Sequence, residues 1–75
     1  MTQKERQIAR LVKAVKGFIT EDDEVTADYL REIFFAEFSI MVRKGMADGM
    51  TPADSGKAWD ELVKFYDIDD TEAQG

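Results

Sequence analysis

Glu37 is the first residue whose surroundings pose a chemical question. Its neighbours at helical spacing are Ile33, Phe34, Ile40 and Met41, and an unpaired charge buried among them would be costly. Three arrangements avoid that cost. Glu37 pairs with Lys4 or Lys16 of the first helix and fixes the register; it meets a Lys or Arg of a partner protein; or helix rotation leaves it at the rim. Lys44, two turns later, lies on the same side.

Arg6, Arg10 and Lys13 make a second constellation. Their spacing puts three cations on one helix face. Such a stripe can contact the phosphates of a nucleic acid or lie on an anionic membrane surface. A solvated outer face on a core helix is the simpler account. The third helix carries Asp54, Asp60 and Glu61, which suits it poorly to a major groove. Conversely, Glu21, Asp22, Asp23, Glu24, Asp28, Glu32, Asp60 and Glu61 could imitate a nucleic acid in a protein's binding channel. Acidity of this kind more commonly serves solubility.

Other chemistry is sparse. The chain has no histidine and no cysteine. That removes imidazole bases, thiolate nucleophiles, disulfides and zinc sites built from Cys and His. Ser39 and Ser55 sit in no nucleophile elbow, and 75 residues leave little room for a substrate cleft. Asp67, Asp69 and Asp70 resemble the start of a calcium loop, but Glu72 stands at the sixth position, where the loop needs glycine. A solvated acidic tail explains them better. The expectation is a non-enzymatic chain with no metal site and no cofactor.

Three helices must position these groups. The first is expected from about Thr2 to Thr20, with Ile8, Leu11, Val12, Val15, Phe18 and Ile19 inward and the basic stripe outward. Four consecutive acids, Glu21 to Glu24, then make a loop. The second helix is expected from Ala27 to Ala47 with Thr26 as its cap, and Gly45 or Gly49 as the left-handed stop. Apolar residues cover more than half its circumference, so it lies in the middle of a bundle or faces a partner. Thr51-Pro52-Ala53-Asp54 opens the third helix with a cap, a proline at the first position and an acid at the third. Asp54 is shorter than the usual Glu or Gln, which leaves the reciprocal capping bond open. Trp59, Leu62, Val63 and Tyr66 form its inner stripe.

The fold class is therefore all-α, a small three-helix bundle over residues 1–66, with an apolar central helix and a disordered acidic tail over residues 67–75. No segment reads as a signal peptide or transmembrane span: the longest apolar run is Ile33 to Ala36. A cytoplasmic location is expected.

Charge and size then point to function. Residues 1–20 carry Lys4, Arg6, Arg10, Lys13 and Lys16 against Glu5, a net +4, which leaves −10 for the rest of a chain of net charge −6. A chain this short buries only about 60% of its unfolded surface. Phe34, Phe35, Phe38, Met41, Met46 and Met50 exceed what one side of a helix can hide, and such residues are typical of adaptable interfaces. The leading expectation is a protein-interaction module that binds a partner protein or itself through Phe34, Phe35, Glu37, Phe38, Met41 and Met46, with acidic steering. A regulatory accessory or a phage-encoded inhibitor is the style of role such a chain fits. The alternative is nucleic-acid or anionic membrane-surface binding through Arg6, Arg10 and Lys13.

Overall fold

The computed structural model describes residues 2–68. Three helices, α1 (Gln3–Phe18), α2 (Ala27–Arg43) and α3 (Pro52–Phe65), form an all-α bundle. A threonine starts each one. The hydroxyls of Thr2, Thr26 and Thr51 accept the backbone N–H of Glu5, Tyr29 and Asp54, satisfying a donor that the helix itself leaves orphaned. In α1 and α3 the bond is returned: the N–H of Thr2 donates to the Glu5 carboxylate at 3.3 Å and that of Thr51 to Asp54 at 3.0 Å. The short aspartate thus closes a complete capping box, held additionally by Lys4 Nζ at 3.6 Å.

Two helices stop in the same way. At the end of α2, Gly45 takes φ +72°, its N–H bonds the carbonyl of Val42, and Met46 N–H bonds that of Met41. At the end of α3, Asp67 takes φ +53°, its N–H bonds Lys64 and Ile68 N–H bonds Val63. Both are Schellman motifs, the second built on an aspartate where glycine is usual. The first stops α2 at Arg43, four residues short of the expected Ala47. The second returns Ile68 to the core, so the folded unit reaches two residues into the segment expected as tail. Residues 69–75 lie outside the described residues, and with them most of the expected disordered tail.

The packing centres on α1, against which both other helices lie; α2 is central only in chain order. Lys4 meets Asp54 near the start of α1 and α3, and Lys16 sits 3.9 Å over the Phe65 ring near their ends, so these two helices run parallel. Gln7, early in α1, bonds carbonyls that follow α2, so α1 and α2 run antiparallel. The core consists of Leu11, Val12, Val15 and Ile19 of the α1 segment, Leu30, Ile33, Phe34 and Met41 of α2, and Ala58 and Leu62 of α3. Leu11, Leu30 and Leu62 are fully enclosed, each contributing about 1.5–3 kcal/mol of burial. Phe18, expected inward, is exposed where α1 ends. No helix among the described residues is long and apolar enough to cross a membrane.

Candidate interaction surface

The apolar residues of α2 divide between its two sides. Leu30, Ile33, Phe34 and Met41 turn inward onto the bundle. Phe35, Ile40 and Val42 turn out, with relative exposures of 60%, 41% and 54%. The expected contact set splits accordingly. Phe35 and Met46 are exposed, and Phe38 and Glu37 are half-buried. Met41, only 4% exposed, is withdrawn from any partner: its place on the inward stripe makes it core. Phe34 is core as well and reaches the surface only as the floor of a groove.

That groove lies between α2 and α3. It is an open depression of about 270 Å³, lined by Arg31, Phe34 and Phe35 on one side and Ser55, Gly56 and Trp59 on the other. Phe34 meets Trp59 edge-on with ring centroids 5.5 Å apart, and Phe35 stands edge-on to Phe34 at 6.1 Å. Each ring presents an edge to a face, the arrangement aromatic quadrupoles favour. Gly56 leaves the wall open, since a Cβ built there meets nothing within 4 Å. Sequence reasoning placed Trp59 in the core and passed over Gly56 and Arg31. A glycine inside a helix-forming stretch, where alanine would be favoured, is the signal the sequence offers.

Glu37 has no ion-pair partner among the described residues. Lys4 is engaged with Asp54 and Lys16 with Phe65, so neither expected internal cation reaches it. Half-exposed placement relieves the desolvation cost that made the position notable.

The basic stripe is exposed as expected: Arg6, Arg10 and Lys13 all face solvent. None forms an ion pair among the described residues, and Arg10 donates a hydrogen bond to the Met46 sulfur at 3.7 Å. The acidic side chains are less uniform. Asp23 bonds the N–H of Thr20 at 2.9 Å and accepts the Tyr29 hydroxyl at 3.3 Å. Desolvation, then the charge of Asp23, pushes the Tyr29 phenol above its ordinary pKa. Asp28 pairs with Arg31 at 3.2 Å. Two of the carboxylates available for imitating a nucleic acid are therefore committed to local structure. Among the described residues, no three carboxylates converge as a metal site requires.

No known protein-family model, no curated protein and no solved structure matches this chain.

Proposed function

We propose that this chain is a non-enzymatic protein-interaction module whose α2–α3 groove receives an apolar side chain of a partner protein. The exposed Phe35 ring beside a groove floored by Phe34 and walled by Trp59 carries this reading. Burying such a ring brings the largest gain in a small interface, and aromatic anchors in pockets dominate binding energy. The acidic remainder of the chain favours a partner with basic groups around its apolar anchor. Capture of a partner from native lysate by the wild-type chain, and its loss with Phe35→Ser, is the expected result. Retention by the variant, or recovery of nucleic acid instead of protein, would refute the reading.

A second reading rests on the exposed Arg6, Arg10 and Lys13 stripe, which forms no ion pair among the described residues: contact with an anionic surface, nucleic acid or lipid. Triple substitution to glutamine abolishes binding under this reading and leaves it intact under the first.

A further inference from the structure

The outward face of α2 carries a pattern that the groove does not use. Glu32, Ala36, Ser39 and Arg43 are all exposed and follow the 4-3-4 spacing of a coiled-coil seam. At about 100° per residue they fall within about 60° of arc. Phe35 borders this strip on one side and Ile40 on the other. The two ends carry opposite charges, and neither Glu32 nor Arg43 has an ion-pair partner within the chain among the described residues. The two middle positions are small, which lets a second helix approach closely.

We propose that this strip binds a second copy of the chain, α2 against α2 in antiparallel orientation. Glu32 and Arg43 stand about 16 Å apart along the helix axis. A two-fold axis level with the midpoint between Glu37 and Phe38 sets each Glu32 beside the other copy's Arg43, twice over. It also sets Ala36 level with Ser39 and Phe35 level with Ile40. The interface is then isologous, as two-fold dimers require. Parallel pairing would instead juxtapose Glu32 with Glu32 and Arg43 with Arg43, so the charges select the antiparallel form. A single helix pair buries less than the ~1,200 Å² of a standard interface, so the dimer is weak and concentration-dependent.

This inference rests on the reading of α2 as an interaction surface but concerns its outer strip rather than the groove. Sedimentation of the full chain from about 10 µM to about 1 mM tests it. The wild-type mass should rise towards twice the monomer. E32R and R43E should each weaken dimerisation about tenfold, because two pairs become repulsive at once. The double variant E32R/R43E restores both pairs and should recover the dimer. An equimolar mixture of E32R with R43E should form a heterodimer about tenfold tighter than either variant's own homodimer. Circular dichroism identifies any variant that has lost its fold, and S39R then serves as a break at the centre of the strip. A wild-type monomer throughout this range, or charge reversals with no effect on mass, would overturn the proposal. Capture by a Gly56→Ala variant, altered on the α3 wall of the groove and away from this strip, reads the groove separately, so loss of the dimer leaves that reading to its own test.

Discussion

The side-chain amide of Gln7 donates to two backbone carbonyls, that of Met46 at 3.2 Å and that of Asp48 at 2.7 Å. Gln7 is itself buried. One α1 residue thereby fastens the connection between α2 and α3 to the helix on which both pack. Backbone polar groups in such a connection must find partners, and here a side chain from 39 and 41 positions away supplies them. Gln7→Met keeps similar volume and removes both bonds. It should lower stability by about 1–3 kcal/mol, the cost of leaving part-buried acceptors without a donor. A urea denaturation midpoint indistinguishable from wild type would show that the clamp is dispensable.

Asp54 makes acid sensitivity predictable. Its carboxylate is held below the ordinary range chiefly by the Thr51 backbone N–H, with further help from the Thr51 hydroxyl and the Lys4 ammonium, against an opposing desolvation effect. A carboxyl whose folded pKa is depressed adds stability that is fully present above its unfolded pKa. That stability disappears as pH falls through the folded value. Wild-type stability should therefore decline below about pH 4, and Asp54→Asn should be less stable at neutral pH with a shallower acid decline. Lys4→Met should keep most of the decline, since the Thr51 N–H is the larger cause. Parallel acid titrations followed by circular dichroism would decide this, and equal slopes in wild type and Asp54→Asn would contradict it.

The same residues show what a sequence can and cannot reveal. The helix starts were legible because Thr26 and Thr51-Pro52 act locally, and the Thr2-to-Glu5 box was equally written in the chain though periodicity alone passes over it. The inward stripe of α1 was legible because polar residues bound it on the other side. The rotation of α2 was not. Apolar residues cover most of that helix, so Phe34 and Met41 could be separated from Phe35 only by knowing where α1 lies. Gln7 was illegible for a related reason: its acceptors arrive from beyond α2. The turn at Asp67 depends on Ile68 finding the core, which local propensity does not encode.

Glycines allow the backbone argument to be checked from both sides. Gly17 lies within α1 at an ordinary φ, and an added Cβ there meets nothing within 4 Å. Gly17→Ala should stabilise the chain by about 0.5–1 kcal/mol through helix propensity. Gly45 has φ +72°, where a Cβ is disfavoured, so Gly45→Ala should destabilise by about 1 kcal/mol. Thermal melts of the two variants should shift in opposite directions. A shift of the same sign in both would mean that something other than backbone conformation governs these positions.

Phe34 and Phe35 are adjacent in sequence but stand on opposite sides of the boundary between core and surface, at 7% and 60% exposure. Phe34→Ala should cost about 3–5 kcal/mol, the usual penalty for emptying a core aromatic site. Phe35→Ser should cost only about 1 kcal/mol, much of it the lost edge-on contact with Phe34, yet abolish capture of the partner. Gly56→Ala adds a methyl group to the groove wall without a clash inside the chain. It should raise stability by about 0.5–1 kcal/mol while weakening capture. A stability gain paired with a binding loss separates the two roles, because damage to the fold would lower both. If Gly56→Ala stabilises the chain and binding is unchanged, the partner does not enter the groove beside Trp59.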